Sequence, residues 1–479
     1  MGDPGGSAPH AAGLIEEDVG STWKLGYVRP RGPMGRGMMR ELGIFLAGAV
    51  LAASAWAAHA EDASAPPPPP EDWSLHFQST VIGQGYPGFP STVQGPNSLP
   101  AHGEVRETIS GTAFIGRRMP WEGGELYFNP EIEQGFGLAR TSGLAGFPNG
   151  EAQKAGFDTP KPNVARLFLR QTFGLGGDRD TLEPDQNQLG DTVDISRITV
   201  TAGKVSIPDF FDDNTYSHDP RTQFMNWALM DAGAYDYAAD QKGYTDGLVL
   251  ELNQKDWALR GGYFLVPKVS NGRDLETRIG KFGGYNVELE TRYQLFSQPG
   301  KFRVLGFANR VFAGSYRETL ANPAFGTDIA LTRSDRTKYG FVLNLEQALS
   351  DDVGLFSRYS WNDGKEEIMS FTDIDQSFSL GTSVKGTSWD RPDDTVGLAG
   401  VVNFLSSAQR DFLAAGGLGI LIGDGQLNYA PEGILETYYS WQVVKPLSLS
   451  ADYQFFVNPA YNQDRGPVHV FSLRAHLAF

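Results

Sequence analysis

The residues best suited to chemistry in this sequence are arginines and acidic residues that alternate with apolar side chains. In residues 165–173, Arg166 and Arg170 share one face of a predicted strand, and Leu167 and Leu169 lie on the other. The same alternation places more charged residues on the polar faces of later strands: Arg260, Glu288, Arg292, Glu346 and Arg358. A guanidinium presents five donors in a rigid fork, which suits adjacent hydroxyl groups. These side chains predict a surface that binds a polyhydroxylated solute.

The arginines have a second interpretation, which the sequence leaves open. Acidic residues occupy comparable positions on the predicted strands: Glu131, Glu288, Glu290 and Glu346. If the arginines pair with these carboxylates, the charges hold the protein interior together and need no solute. Both interpretations hold if only some of the arginines are paired.

Residues 209–240 lack the alternation of a strand and are rich in acidic and aromatic side chains, including Asp213, Tyr216 and Trp227. We predict that this stretch is a loop that folds inward, narrows a channel and supplies rings that stack on the apolar face of a cyclic solute. The alternative is an outer loop that packs on the rim of the fold.

Catalytic and metal-binding patterns are weak. The chain has no Cys, and its seven His show no H-x-x-x-H spacing. Asp209, Asp212 and Asp213 lack the D-x-D-x-D-G spacing of a calcium loop. Glu288 and Glu290 resemble a glycosidase pair only in being two nearby carboxylates on one strand face. We therefore predict no enzyme activity, no metal ion and no cofactor.

The elements that position these residues are amphipathic strands. The last strand places Phe471, Leu473, Leu477 and Phe479 on one face and a polar set that includes Arg474 on the other. Similar strands recur in pairs, with short turns predicted at 444–446 and 298–300 and long connections at 363–388 and 406–433. Short turns that alternate with long loops are typical of an outer-membrane barrel, and the length fits about 16 strands. The fold class predicted is therefore all-β, a single transmembrane antiparallel β-barrel.

Composition agrees with such a barrel. Aromatic residues reach 12%, there are 58 Gly, and the mean hydropathy is only −0.31 because a barrel strand needs an apolar residue at every second position. The formal net charge of −17 disfavours nucleic acid as a partner. Acidic outer loops that bind divalent cations beside lipopolysaccharide remain a hypothesis.

The first part of the chain carries targeting signals. An apolar stretch at 42–56 follows Arg40 and precedes the A-x-A pattern at 58–60, which is typical of a secretory signal peptide. A single membrane anchor is the alternative, although the stretch is shorter than about 20 residues. We interpret residues 1–37 as an upstream mis-start extension, 38–60 as the signal peptide, 61–72 as a Pro-rich disordered linker and 73–479 as the barrel domain.

Five segments resemble the carbohydrate-selective porin family, often called the OprB family. They are residues 143–151, 203–212, 216–227, 389–394 and 458–467, and the resemblance runs from about residue 124 to the end. It implies a 16-stranded outer-membrane barrel through which mono- and oligosaccharides such as glucose diffuse passively. The partners expected are sugars, outer-membrane lipid and lipopolysaccharide, and the barrel assembly machinery acting on Phe479. Monomer and homotrimer both stay open.

Two other functions are kept as alternatives. One is a general or ion-selective porin without sugar preference. The other is a secreted soluble β-protein that binds or degrades polysaccharide, whose polar strand faces are solvated.

Overall fold

The computed structural model describes residues 70–152 and 156–479. The predicted mis-start extension, the predicted signal peptide and residues 61–69 of the predicted linker lie outside the described residues.

Sixteen strands of the described chain close into one antiparallel barrel. Each barrel strand pairs with the next barrel strand along the chain, and β1 (Trp73–Pro87) also pairs with β18 (Val468–Ala478), from Gln78 opposite Ala478 to Gly85 opposite Phe471. Two further strands, β5 (Arg179–Leu182) and β6 (Asp191–Asp194), form a separate two-stranded sheet in the connection between the paired barrel strands β4 (Phe157–Gly174) and β7 (Arg197–Val205). Closure leaves no unpaired edge, as a strand structure in lipid requires. The predicted 16-stranded antiparallel barrel is confirmed.

The strands are β1 Trp73–Pro87, β2 Gly103–Arg118, β3 Gly124–Gly135, β4 Phe157–Gly174, β5 Arg179–Leu182, β6 Asp191–Asp194, β7 Arg197–Val205, β8 Thr245–Asn253, β9 Trp257–Phe264, β10 Gly283–Leu295, β11 Gln298–Ala313, β12 Ser334–Ala348, β13 Val353–Asn362, β14 Gln376–Gly386, β15 Arg391–Phe404, β16 Glu432–Val444, β17 Leu447–Val457 and β18 Val468–Ala478. Three short α-helices are α1 Trp227–Met230, α2 Tyr316–Ala321 and α3 Ser407–Ala414. Single 3₁₀ turns occur at Leu138–Arg140, Ile207–Asp209, Pro323–Phe325, Ile329–Thr332, Thr387–Trp389 and Pro459–Tyr461. In the described part of the chain, each helix is too short or too polar to cross a membrane.

The two faces of the strands differ as the alternation predicts. On β18, Phe471 and Leu473 are 55% and 68% exposed on the outside, whereas Arg474 is 2% exposed on the inside. Leu248 and Leu250 on β8 and Val287 on β10 are likewise exposed on the outer surface. Large apolar side chains that face outward around a closed barrel form the lipid-facing band of an outer-membrane protein.

The two ends of the barrel differ in their connections. At one end, six of the seven connections have two to five residues, and at the other the connections run from 10 to 39 residues. We call these the short-turn end and the long-loop end. Exposed aromatic residues cluster at the short-turn end, among them Trp73, Trp121, Trp257, Phe296 and Trp441. In outer-membrane barrels the short turns face the periplasm, and aromatic girdles mark the membrane interfaces.

The turn predicted at 298–300 was wrong by two residues. The actual turn is Phe296 and Ser297, with φ of 54° and 62°, while Pro299 and Gly300 already belong to β11. Two consecutive positive φ values match the twist of a tight hairpin, so this pair forms the turn although neither residue is Gly or Asn.

The long connection predicted at 363–388 was also wrong, because it contains β14. The true loop is residues 363–375. Inside the barrel β14 carries mainly small residues, and Gly381 lies so close to Phe356 that an added Cβ would be 2.4 Å from the ring. Small inward residues weaken the apolar alternation that identifies a strand, but they make room for large side chains of the neighbouring strands. The other long connection, predicted at 406–433, agrees closely with the observed loop at 405–431.

One connection at the short-turn end is long. Residues 175–196, which we call the inserted hairpin, link β4 to β7 and contain β5 and β6. Its turn is closed by two backbone hydrogen bonds between Asp185 and Gln188. The turn lies inside the barrel, where Gln186 contacts Gln78 and Asn187 contacts Asn129.

A second segment enters from the opposite end. Residues 206–244, which we call the inner loop, connect β7 to β8 and include α1. Phe211, Phe224, Leu229 and Tyr235 of this loop are almost fully buried inside the barrel. The inward folding predicted for this stretch is therefore what the structure shows, and the loop gives one half of the barrel a packed apolar core.

Candidate functional site

A cavity of about 1000 Å³ occupies the other half of the barrel. Its barrel-strand residues come from β1–β4, β7 and β8. Residues of β5 and β6 in the inserted hairpin also line it, and none of the described residues of β9–β18 does. The inner loop covers its opposite side, and the inserted hairpin lines it from the turn at residues 185–189 to residues 191–194 and Arg179 nearer the short-turn end. Guanidinium groups, carboxylates and aromatic rings face each other across this space.

Arg166, on the inward face of β4, lies at the cavity wall. It makes two hydrogen bonds of 2.6 Å to the Asp209 carboxylate of the inner loop, and its guanidinium lies 5.6 Å from the centre of the Tyr244 ring. The Tyr244 hydroxyl donates to Glu131 at 2.8 Å. Burial raises the pKa of Tyr244 well above its usual value, so its hydroxyl keeps its proton. Cation, anion and aromatic ring thus form one polar wall.

Arg170 lies four residues further along the inward face of β4, nearer the short-turn end. Its guanidinium covers the Tyr127 ring at 4.9 Å and lies 3.6 Å from Glu125. It also donates to the Asn187 carbonyl of the inserted hairpin at 2.9 Å. The side chain is 22% exposed, compared with 13% for Arg166. Arg170 therefore keeps more donor surface available to the cavity.

A second group of the predicted residues lies away from the cavity, on the wall formed by β8 to β12. Arg260 bonds to Glu288 at 3.0 Å and to Glu290 at 3.2 Å, and Arg292 bonds to Glu290 at 2.7 Å. Arg303, which is fully buried, links Glu290 to Glu346 at 2.8 Å and 3.1 Å. Like charges are separated by opposite ones along this wall, so the carboxylates and guanidinium groups satisfy one another.

This charged wall anchors the inner loop. Glu288 accepts from the Asp212 backbone N–H at 2.8 Å, and Glu346 accepts from the Thr215 N–H at 2.8 Å. Asp213 contacts Arg303 at 3.2 Å. For Arg260, Glu288, Arg292 and Glu346 the structure shows the paired arrangement that was the alternative interpretation of the sequence.

Arg358 and Tyr216 also serve the seat of the inner loop. Arg358 is 2% exposed and bonds to the Asp212 carboxylate, to the Leu229 carbonyl at 2.9 Å and to the Ser217 carbonyl at 2.7 Å. The Tyr216 ring packs on the backbone of Gly354, where a Cβ would lie 2.0 Å from a ring carbon. Neither side chain lines the cavity.

Trp227 lies in an aromatic cluster where the inner loop meets the cavity. Its ring stacks on Phe147 at 5.1 Å with an interplanar angle of 15°, and Tyr237 and Phe371 contact it from other sides. It is 3% exposed. The structure brings Arg166, Arg170 and Trp227 to the cavity. Of the other seven predicted residues, Asp213 and Tyr216 belong to the inner loop itself, and five lie on the barrel wall away from the cavity: Arg260, Glu288, Arg292, Glu346 and Arg358.

Close by, Asp231 is a buried carboxylate whose two oxygens have no hydrogen-bond partner in the protein. Burial raises its pKa to about 7, although His218 lies 3.8 Å away. Asp219 of the same loop shows the opposite shift. Burial raises its pKa, but the Arg221 charge, a hydrogen bond from the Arg221 backbone N–H and the nearby His476 and His218 together lower it below its usual value.

The sequence reasoning missed Arg303, Tyr244 and the inserted hairpin. Arg303 could have been predicted, since charged and apolar residues alternate over residues 301–304. Tyr244 directly precedes β8 and carries no pattern of its own. The inserted hairpin is rich in Gly and Asp and has no apolar alternation, so no sequence signal points to it. Within the described ranges, no three His, Asp or Glu side chains converge as ligands for a metal ion.

Two of the segments that carry the family resemblance meet inside the barrel. The Asn226 amide donates to the Gly146 carbonyl at 2.9 Å, and the Trp227 backbone N–H donates to the Phe147 carbonyl at 3.0 Å. The segments 143–151 and 216–227 therefore pack against each other rather than projecting into solvent.

Comparisons with known proteins agree with this architecture. The profile of the family described as "Carbohydrate-selective porin, OprB family" matches residues 117–479. The high-pH structure of Pseudomonas putida OprB is similar, with a TM-score of 0.66, 13% identity, and coverage of 85% of this chain and 94% of that one. The outer-membrane channel DcaP of Acinetobacter baumannii has a TM-score of 0.46 and 11% identity, with coverage of 85% and 97%. No curated protein matches the chain. The family profile covers about three quarters of the sequence, and the chain belongs to the carbohydrate-selective OprB family of outer-membrane porins.

Proposed function

We propose that the cavity beside β1–β4, β7 and β8 is the route by which mono- and small oligosaccharides such as glucose cross this barrel. The observation that carries the proposal is the combination of one large polar cavity with a packed opposite half. A solute that enters from the long-loop end has to pass Arg166 and then Arg170 before it reaches the short-turn end.

The chemistry of this route suits sugars. Hydroxyl groups lose hydration when they enter, and the guanidinium and carboxylate groups at Arg166, Asp209 and Arg170 replace those hydrogen bonds. Their mutual pairing limits how strongly they hold a neutral solute, and weak binding is what release on the other side requires. Trp227, with its neighbouring rings, supplies the apolar part of the wall.

The remaining predicted residues act through the inner loop in this proposal. Arg260, Glu288, Arg292, Glu346 and Arg358, with Asp213 and Tyr216, hold the loop against one wall and so keep the route open along the other. They are positioning residues and do not touch the solute.

We also propose the export and assembly steps that the sequence suggests. Residues 38–60 direct secretion, residues 61–72 act as a spacer, and residues 73–479 form the barrel domain. The Phe479 ring packs on Phe77 at 5.6 Å and remains 42% exposed, which leaves it accessible to the barrel assembly machinery. The outer surface contacts outer-membrane lipid and lipopolysaccharide, and the barrel acts as a monomer or a homotrimer.

Sugar-dependent block of single-channel current tests the route. Arg166→Lys and Arg170→Lys keep the charge but remove the planar fork, so we expect weaker block by glucose with unchanged ion selectivity. Arg310→Lys is the matched control, because Arg310 lies on the outward face of β11. Unaltered block in both cavity variants would contradict the proposal. Strong charge selectivity in reversal potentials with no sugar block in the native protein would favour an ion-selective porin instead.

A further inference from the structure

We propose that the inserted hairpin is a fixed exit filter that sets the largest sugar able to leave the cavity at the periplasmic end. The inference rests on the proposed function, since it takes the cavity to be the sugar route. It adds a second size-determining element at the opposite end from the inner loop.

The first support is the position of the hairpin. It supplies 22 residues between Gly174 and Arg197, where the other connections at this end have two to five. Its turn reaches Gln78, five residues along β1 from Trp73, which corresponds to about 16 Å of strand. The hairpin therefore enters the barrel instead of projecting into the periplasm.

The second support is that the hairpin lines the short-turn half of the cavity, which continues past the turn to Gly174 and Arg179. Residues 185–189 all line it. Three strands hold the turn: Gln186 donates to Gln78 of β1 at 3.1 Å, Asn129 of β3 donates to the Asn187 side chain at 2.8 Å, and Arg170 of β4 donates to the Asn187 carbonyl. A solute that moves past Arg170 meets this turn directly.

The third support is the way the second arm of the hairpin is fixed just after the turn. The Glu71 backbone N–H donates to the Gly190 carbonyl at 2.9 Å, and the Glu71 carboxylate accepts from the Gly190 N–H at 2.9 Å. Arg118 donates to Asp191 at 2.7 Å and to the Glu71 carbonyl at 2.8 Å. Leu189 is 1% exposed, so the hairpin also has an apolar contact in the barrel. Bonds at both the turn and the second arm favour a rigid wall over a moving lid.

The chemistry of the turn fits a neutral, hydroxyl-rich solute. Gln186, Asn187 and Gln188 bring carboxamides, which both donate and accept hydrogen bonds and carry no net charge. The charged groups above them orient a sugar, and the amides at the exit exchange with its hydroxyl groups without holding it by charge.

Replacing residues 176–195 by Asn-Gly tests the filter. Leu175 and Ser196 are already joined by a backbone hydrogen bond of 2.9 Å, so a two-residue hairpin turn closes this gap without moving β4 or β7. In liposome swelling with glucose, a disaccharide and a trisaccharide, we expect the trisaccharide rate to rise toward the disaccharide rate of the native protein. An unchanged order and ratio of the three rates would overturn the proposal.

A second variant covers failure of the deletion to fold. Gln186→Gly with Asn187→Gly keeps the hairpin backbone and its base and removes only the turn side chains, and Asn187 already has a φ of 56°, which glycine adopts freely. The same shift in sugar size is expected, and its absence in a folded, heat-modifiable barrel would overturn the filter.

Arg166→Lys, measured in the same liposomes, separates the two proposals. If Arg166→Lys alters the rate of glucose entry while both hairpin variants keep the native size limit, the proposed route stands and the proposed filter is wrong. If glucose passage ignores Arg166 and Arg170 altogether, the route itself is wrong. Asn163→Gly, on β4 but away from the hairpin, is the control for nonspecific loosening, and we expect it to leave the size limit unchanged.

Discussion

Asp231→Asn is expected to tighten the seat of the inner loop above neutral pH. The carboxyl group of Asp231 has a pKa of about 7 because burial disfavours its charged form. Because the folded-state pKa lies above the unfolded value of about 3.9, the neutral Asp231 carboxyl contributes stability to the folded state. This stability is fully present below about pH 3.9 and is lost as the pH rises through about 7. The native loop should therefore be held more weakly at pH 8 than at pH 5, and the amide variant should not show this loss.

The size of the effect follows from the shift. A difference of roughly three pKa units, at about 1.4 kcal/mol each, amounts to about 4 kcal/mol between the two protonation states. The loss is spread from about pH 3.9 to about pH 7, so about two of the three units, or roughly a hundredfold change in the population of the released loop, fall between pH 5 and pH 8. The pKa of about 7 is the net result of burial and of the charges of His218, Asp212 and Arg358.

Hydrogen exchange of the inner-loop amides measures this change once the intrinsic pH dependence of exchange is removed. Protection in the native protein should fall between pH 5 and pH 8, and protection in Asp231→Asn should stay level. Asp219→Asn is the matched control, because the pKa of Asp219 is lowered and its titration lies below this window. Equal protection at both pH values in the native protein would refute the reasoning.

Three further predictions concern the packed half of the barrel and its border with the cavity. Arg303→Met removes the buried cation that Glu290 and Glu346 share, although Arg260, Arg292 and Lys301 still contact them, and should cost about 1–3 kcal/mol, seen as a lower midpoint of heat modifiability on gels, while the outward Arg310→Met should be nearly neutral. Gly381→Ala should destabilise by about 1–3 kcal/mol because its Cβ would meet the Phe356 ring, whereas Gly261→Ala has open space and should change the same midpoint little. Trp227→Ala should alter sugar-dependent block of single-channel current, and normal block would remove this residue from the route.

The barrel itself was predictable because lipid imposes a simple pattern. Every second residue of a strand has to be apolar, so the inward direction of Arg166, Arg260, Glu288 and Arg358 followed from alternation alone. The pattern failed at β14, where serines and Gly381 leave space for a neighbour's ring. It also misplaced a turn, because the backbone at Phe296 and Ser297 adopts positive φ without the residues that usually signal it.

Which inward-facing residues line the cavity and which are covered by the inner loop could not be predicted from one sequence. Alternation shows that Arg170 and Arg358 both face inward, but it does not show which one a loop will cover. That outcome depends on where residues 206–244 come to rest, which is decided by distant partners such as Glu346 and Glu436. The Glu436 carboxylate, for example, accepts from the backbone at Asn226, 210 positions earlier in the chain.

The charged wall and the cavity wall share no strand beyond β8. Substitutions on β3 and β4 that spare Glu131, Glu133 and Arg166, which bond to the inner loop, can therefore change which solutes pass without disturbing the charged wall. A barrel built this way can change which solutes it passes through substitutions on one side, while the other side keeps the contacts that hold the inner loop. Redesign of solute selectivity should therefore be confined to the four strands from β1 to β4.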